Sequence, residues 1–381
     1  MDRNLFIETD IEREWFSRFE DNKEWIKASA KEADQTGRLN HKLIDWLLDH
    51  GYNRLSLPVA AGGFGCSIKS VLLLQEVLAS YDESTALSIG WHLGVVGEVF
   101  EFNLWSDRMT AQFTEDILAG GITNRVVSEA ATGSPTRGGK PSTSAVRHQD
   151  GWLINGVKTY VSMSHRLTHY IVGAYVEEKN NLCFFYIPAD TPGLVIVETW
   201  NTTGMRATES HDLVLTDVFV NDDYLVEENR KGHDNPWLMH IPSVYLGIAQ
   251  GAVDDAAHFA LSHSPNSITG VIADLPHIEA QLGEMELKLM AARHFLYHAA
   301  ELHDSHKEHL VPTFSAAKHI VVNHALEIVD TAMRIIGAKS LERDGTIERR
   351  YRSVRAGLHN PPMDDAVIRL LSREVKAHND Y

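Results

Sequence analysis

Apolar residues recur along the chain with two different periods, and the changeovers divide it into three zones. Residues 1 to 122 follow a helical period for most of their length; from Ser67 to Ala79, for example, Val71, Leu74 and Leu78 share one stripe. From 123 to 232 the pattern shortens to strand-like runs between turn residues: GWLINGVKTYVS, HYIVGAYV, NLCFFYIPA, GLVIVETW and HDLVLTDVFV. These runs predict a compact β-domain, with Asn155-Gly156 as a hairpin-like turn. After Pro236 the helical period returns. Leu282, Met285, Leu289, Ala292, Leu296 and Ala299 are spaced 3, 4, 3, 4, 3, and Val321, Ala325, Ile328, Ala332 and Ile335 are spaced 4, 3, 4, 3. Such seams predict long helices in an antiparallel bundle, compatible with burial against another subunit. The chain therefore reads as α+β, with a helical domain over 1–122, a β-domain over 123–232 and a helical bundle over 233–381. It shows no internal repeat and no low-complexity segment.

Composition narrows the function classes. Among 381 residues, 35 Lys and Arg face 52 Asp and Glu, a net charge of −17. Nucleic acids and anionic membranes are poor partners for such a surface. At 44% hydrophobic and 23% charged, the chain suits a globular fold and not disorder. Cys66 and Cys183 lie far apart with no CxxC or His pattern, so neither a disulfide framework nor a metal site is expected. No apolar run approaches the roughly 20 residues that cross a bilayer. The start, MDRNLFIETDIEREWF, lacks the apolar core of a signal peptide, and a cytoplasmic location is expected.

Four segments could carry chemistry. Gly62-Gly63-Phe64-Gly65 precedes a helix, but no Lys-Ser/Thr follows, so it reads first as a tight loop needing positive φ. Ser128 to Ser134 is a small-residue stretch where a backbone could approach a planar or anionic ligand; a solvated loop is the equal alternative. In Lys158 to Ser164, alternation puts Tyr160, Ser162 and Ser164 on one strand face, either an ordinary sheet face or the lining of a flat cofactor. The run ending His359-Asn360-Pro361-Pro362 reads as a helix stop. His359 could act as an acid or base, although a lone histidine among 21 is more often structural.

In their order, these segments resemble the acyl-CoA dehydrogenase superfamily over nearly the whole chain. Leu57-Pro58 with Gly62-Gly63-Phe64-Gly65 is similar to the family's Pro-x-x-x-Gly-Gly-x-Gly loop, and Ser128 to Ser134 to its Thr-Glu-Pro-Gly-Ala-Gly-Ser flavin loop. Ile154-Asn155-Gly156-x-Lys158, Tyr160-Val161-Ser162 and Gly204 to Ser210 resemble further signatures in sequence order. The resemblance implies a helical N-terminal domain, a central β-barrel-like domain and a C-terminal four-helix bundle. It also implies a flavoprotein oxidoreductase holding FAD between domains and subunits, usually as a homotetramer. Val126, Val127, Ser128, Gly133 and Ser134 would contact the flavin, and Tyr160 and Val161 would flank it. Ser162 would offer its hydroxyl to the N5 edge that receives hydride from an acyl-CoA or similar small substrate. Arg334 and Gly337 fall in the element matching the family's Gln-x-x-Gly-Gly.

The departures are as informative. The family's catalytic Glu falls on Pro361, and the alternative Glu at the start of the first bundle helix falls near Trp237, so neither base position holds an acid. The Arg that grips the cofactor pyrophosphate becomes His263, a weaker partner that makes FMN conceivable. Three functions compete, and an acyl-CoA dehydrogenase-like oxidoreductase transferring hydride to the flavin is the expectation, with the other two as alternatives. In a dehydrogenase the base would be Asp364, Asp365 or His359, and an electron-transfer partner would be needed. A monooxygenase resembling the dibenzothiophene monooxygenases would take reduced flavin from a separate reductase, with His359 and a hydroxyl such as that of Ser162 assisting oxygen chemistry. A non-catalytic flavoprotein scaffold is the third, and the acidic charge argues against it.

Overall fold

The computed structural model describes residues 3–133, 139–229 and 235–379. The N-terminal domain contains α1 (Asp10–Thr36), α2 (His41–Asp49), α3 (Ile68–Ala79), α4 (Glu83–Glu101) and α5 (Asp107–Leu118). Sequence chemistry sets their ends: Thr9 accepts from the Glu12 N–H while the Glu12 carboxylate accepts from that of Thr9, and Gly37 closes α1 at φ 67°. In the glycine loop Gly62 and Gly65 take positive φ, and a Cβ on Gly63 would lie 2.1 Å from the Leu57 carbonyl oxygen. The loop is the tight turn that its composition predicts.

The middle of the chain folds into eight strands: β1 (Thr123–Val126), β2 (Ser144–His148), β3 (Gly151–Val161), β4 (His169–Val176), β5 (Asn181–Pro188), β6 (Leu194–Val197), β7 (His211–Asn221) and β8 (Leu225–Glu228). They form one sheet in the order β6-β7-β3-β2-β4-β5-β8, with β1 parallel to β4. Asn155-Gly156 is not a hairpin turn. It sits inside β3 at a register shift against β7, where the Asn155 amide donates to Asp217 Oδ1 (3.0 Å) and its Oδ1 accepts the Asp217 N–H (2.8 Å). A Cβ on Gly156 would meet Thr143 at 2.3 Å. The β2–β3 reversal falls instead at Gln149-Asp150, where Gln149 has φ 52°.

The C-terminal bundle comprises α6 (His240–Ser262), entered through a 3-10 turn over Pro236–Met239, then α7 (Pro276–Asp304), α8 (Val311–Ile336), α9 (Thr346–Val354) and α10 (Asp364–Asn379). Both seams face inward: in α7 every member but half-buried Leu282 is buried, and all five in α8 are. Buried apolar side chains run as one continuous core from α3 through α6 to α8. Helix α3 lies so close to α6 that a Cβ on Gly247 would sit 2.4 Å from the Glu76 carbonyl oxygen.

Arg293 of α7 reaches Glu76 of α3 at 2.7 Å with both side chains fully buried. The basic run at α9 is spent inside the chain: Arg349 on Glu83, Arg350 on Asp255, Arg352 on Asp34 and Glu348, Arg355 on Asp330. No helix among the described residues is long and apolar enough to cross a membrane.

Candidate functional site

A cleft of about 1460 Å³ opens where the three domains meet. Ligand sites commonly measure about 300–1,000 Å³, so there is room for a large planar group and a second small molecule. It is lined by the ends of β1 and β3, by α4, by the 200–210 loop, by the entry to α6 and by the segment after α9.

The β wall is built on a sealed ion pair. Lys158 donates to Glu129 (2.8 Å) and to the Val127 carbonyl oxygen (3.3 Å), and Glu129 also accepts the N–H groups of Ser142 and Thr143. Burial pushes the Glu129 carboxyl up, but Lys158 and the donors from Thr143 and Ser142 outweigh it and bring it down to about 2. The Thr159 N–H donates to the Ser128 carbonyl oxygen, which fixes Val126 to Ser128 beside β3. Tyr160 takes φ 61°, turns 65% of its surface outward and meets Trp200 edge-on at 6.2 Å. Ser162 hydrogen-bonds Ser210 (2.9 Å), which bonds Thr208 (2.8 Å), whose hydroxyl donates to the Met205 carbonyl oxygen.

Of the residues expected at the site, Val126, Val127, Ser128, Tyr160, Ser162 and His359 line this cleft. Gly133 is exposed beyond the lining, and Ser134 lies outside the described residues. Val161 points into the core at 1% exposure, and Ser164 donates to the Glu209 carbonyl oxygen away from the cleft. Strict alternation fails because positive φ at Tyr160 and Met163 breaks the strand on either side of Ser162. Arg334 and Gly337 are exposed at the end of α8, off this cleft. His263 ends α6, stacked on Phe259 at 4.8 Å.

Pro361 and Trp237, which occupy the expected acid positions, both line the cleft. Asp364 does not: it accepts from Asn323 (3.2 Å) and pairs with His319 (3.0 Å) between α8 and α10, and Asp365 is exposed beside it. The carboxylates in the described lining are Glu98 and Glu227, and both are held by Arg125 at 3.1 Å. Arg125 lies over the Phe184 ring at 4.6 Å. This group brings together β1, α4 and β8, and no local pattern announces it. His240 was also missed. It lines the cleft one helical turn beyond Trp237, so the 3.6-residue period was the one available cue.

Outside the cleft, His165, Glu198 and His211 bring one potential ligand atom each within 4.8 Å of one another. His211 Nδ1 accepts the N–H groups of Thr199 and Trp200, both at 3.1 Å. The neutral ring therefore carries its proton on Nε2, and neither nitrogen presents a free lone pair to a cation.

Comparison with known proteins agrees with this architecture. The family descriptions "Acyl-CoA dehydrogenase, N-terminal domain", "middle domain" and "C-terminal domain" match residues 13–103, 125–218 and 239–360. The putative acyl-CoA dehydrogenase YdbM of Bacillus subtilis (strain 168) is 48% identical over 377 residues, 98% of this chain and 99% of that protein. Butyryl-CoA dehydrogenase from Megasphaera elsdenii superposes with a TM-score of 0.88 at 21% identity, covering 98% of this chain and 100% of that one. FMN-bound TdsC from Paenibacillus sp. A11-2 superposes at 0.86 with 21% identity, covering 96% and 98%.

Proposed function

The chain belongs to the acyl-CoA dehydrogenase family of flavin-dependent oxidoreductases, and on that premise we propose that it is a reduced-flavin-dependent monooxygenase acting on a small molecule. One observation carries this reading: in the described lining both carboxylates are engaged by Arg125, and Pro361 supplies neither a carboxylate nor an N–H. Removing a proton from carbon beside a thioester requires an oriented base, whereas oxygen transfer requires hydrogen-bond and proton donors. Ser162 and His359 are groups of that kind, and both face the cleft.

The residues fit a flavin. The cleft has the volume, Tyr160 presents an aromatic side chain, Val126 to Ser128 run along the same wall, and Ser162 holds a hydroxyl on a fixed hydrogen-bond chain. When bound, a reduced flavin would supply the electrons that activate oxygen for transfer. Tyr160 and Val126 to Ser128 would hold it, and Ser162, its hydroxyl fixed by Ser210 and Thr208, would offer it a hydrogen bond. His359 would supply a proton to the water formed from the second oxygen atom.

His263, where the family has a cationic pyrophosphate partner, and the FMN-bound neighbour favour FMN over FAD. A separate reductase supplies the reduced flavin. Arg334 and Gly337, exposed and off this chain's own cleft, would meet the flavin of a second copy in a homotetramer.

Acyl-CoA dehydrogenation is the second reading, favoured by the name of the 48% identical relative. The two separate cleanly. Protein loaded with FMN or FAD is reduced and mixed with oxygen and a panel of small thioethers and amines, and the oxidised flavin is offered a panel of acyl-CoA esters. Oxygen incorporated into product, with no bleaching by any acyl-CoA, is expected. Bleaching by an acyl-CoA without oxygen incorporation would replace the monooxygenase with the dehydrogenase.

A further inference from the structure

Asn360 lines the cleft, and its side chain is oriented by a residue behind the wall. Tyr245 of α6 is 0% exposed and outside the lining, and its hydroxyl donates to Asn360 Oδ1 at 2.5 Å. Burial pushes the phenol's pKa up, so the group keeps its proton. Asn360 is its one hydrogen-bond partner among the described residues. A phenol has a single donor, and turning the amide over would bury that O–H with no acceptor. The amide oxygen is therefore fixed toward α6, which leaves the amino group on the open side. Half-buried Asn360 donates from Nδ2 to no described residue, and Nδ2 is not among the buried polar atoms that lack a partner, so it keeps accessible surface.

The packing behind this amide is close. In the 3-10 turn Arg355–Leu358, a Cβ on Gly357 would lie 2.8 Å from Val322 Cγ1 and 3.1 Å from Tyr245 Cε1, so glycine lets the turn approach α6 and α8 this nearly. The next residue along the wall, Pro361, has no N–H, and the Asn360 side chain supplies the donors at this point. Arg355 on the same edge is held by Asp330 at 2.6 Å, which compensates its charge.

Resting on the small-molecule site proposed above, we infer that Asn360 recognises a neutral carbonyl oxygen of the substrate through its amino group, with Tyr245 as the positioning residue that holds the amide in that sense. A ketone, ester or amide oxygen accepts the N–H without bringing a charge into the cleft. An ammonium group would set donors against donors there.

The test uses para-fluoroacetophenone and para-fluoro-α-methylstyrene, which share a shape but carry a carbonyl oxygen or a methylene group at the same position. Affinities are measured by fluorine NMR titration on the full chain with and without FMN. The ketone should bind about three- to tenfold more tightly, the value of one neutral hydrogen bond. Damage to the shape of the wall weakens both probes alike, so the ratio reports the hydrogen bond. Asn360→Leu should abolish the preference. Asn360→Asp keeps an oxygen for Tyr245 and puts an ionised one where the amino group was, so it should reverse the preference. Tyr245→Phe frees the amide to turn and should cut it to less than about twofold.

Equal affinities in the natural protein, a preference that survives Asn360→Leu, or no binding of either probe would overturn the proposal. A preference unchanged in Tyr245→Phe would remove Tyr245 from it. Should the variants fail to fold, the carbonyl stretch of the ketone bound to the natural protein decides: it falls below its frequency in cyclohexane, or the proposal is wrong. The FMN arm keeps the two readings apart. A protein that prefers the ketone yet binds no flavin keeps Asn360 in this role and loses the flavin site, whereas one that binds flavin and both probes equally keeps the flavin site and loses this role.

Discussion

Lys158 Nζ lies 2.8 Å from the Glu129 carboxylate, with 0% and 4% of the two side chains exposed. The pair joins the end of β3 to the loop after β1 and so sets the spacing of the cleft wall carrying Val126 to Ser128 and Tyr160. Its strength is not simply the carboxylate's. Burial lowers the Lys158 pKa by more than Glu129 restores, which offsets part of what the depressed Glu129 carboxyl contributes.

Acid sensitivity follows from that pair. The Glu129 carboxyl titrates near 2 in the folded chain against an ordinary value of 4.5. A depressed carboxyl contributes stability above its unfolded pKa and loses it as the pH falls toward the folded one. Between pH 4.5 and 2 the natural protein should therefore lose on the order of 1–3 kcal/mol more stability than Glu129→Gln. Urea midpoints at pH 7 and pH 3 for both proteins measure this, and an identical loss in the two would show that the pair plays no part.

The buried Arg293–Glu76 pair makes a different prediction. Arg293→Met leaves Glu76 charged at 0% exposure with Tyr297 as its remaining donor, and should cost about 3–5 kcal/mol. The double change Arg293→Met with Glu76→Leu should recover most of that loss, because it also removes the stranded charge. Chemical denaturation of the three proteins decides, and a double variant no more stable than the single one refutes the expectation.

Gly97 controls the position of Trp237. A Cβ there would lie 2.2 Å from the indole, whose Nε1–H donates to Glu101 at 2.7 Å. Gly97→Ala should displace the ring into the cleft, at a cost of about 1–3 kcal/mol in stability. Tryptophan fluorescence should shift while far-ultraviolet dichroism stays constant. An unchanged emission spectrum would mean that the backbone yields instead of the indole.

His359 faces the cleft without being buried in it, so its removal should leave binding largely intact. His359→Ala is expected to lower kcat about 10²- to 10³-fold, the usual worth of a positioned proton donor, with flavin affinity within a few fold of the natural protein. Equal losses in flavin affinity and in kcat would make His359 part of the binding site and not of the chemistry.

Much of the architecture was legible in the linear pattern, because burial of an amphipathic element is written into its period. The seams Leu282 to Ala299 and Val321 to Ile335 identify α7 and α8, with only Leu282 left half-buried, and the run over 151–162 identifies β3. Strands β1, β2 and β8 escaped because TNRV, SAVRH and LVEE hold too few apolar residues to stand out, whereas β6, equally short, is apolar throughout. Asn155-Gly156 misled for a related reason: its turn preference is local, whereas Asp217, 62 residues away, holds the Asn155 side chain and keeps the segment in the strand.

Residue types and order along the chain were enough to identify the family motifs, the unusual Pro361 and Trp237, and the stretches that came to line the cleft. Folding decided which groups are available for chemistry. Arg125 engages Glu98 and Glu227, Asp364 is drawn away by Asn323 and His319, Ser162 gains a fixed rotamer from Ser210, and His240 is sealed between Gly90, Gly94 and Trp91 with neither ring nitrogen hydrogen-bonded among the described residues. Each of these depends on burial and on partners from distant segments. A side chain's charge and hydrogen-bonding capacity are set by what surrounds it in space, and neighbours in the chain report that only where a single helix or strand supplies the surroundings.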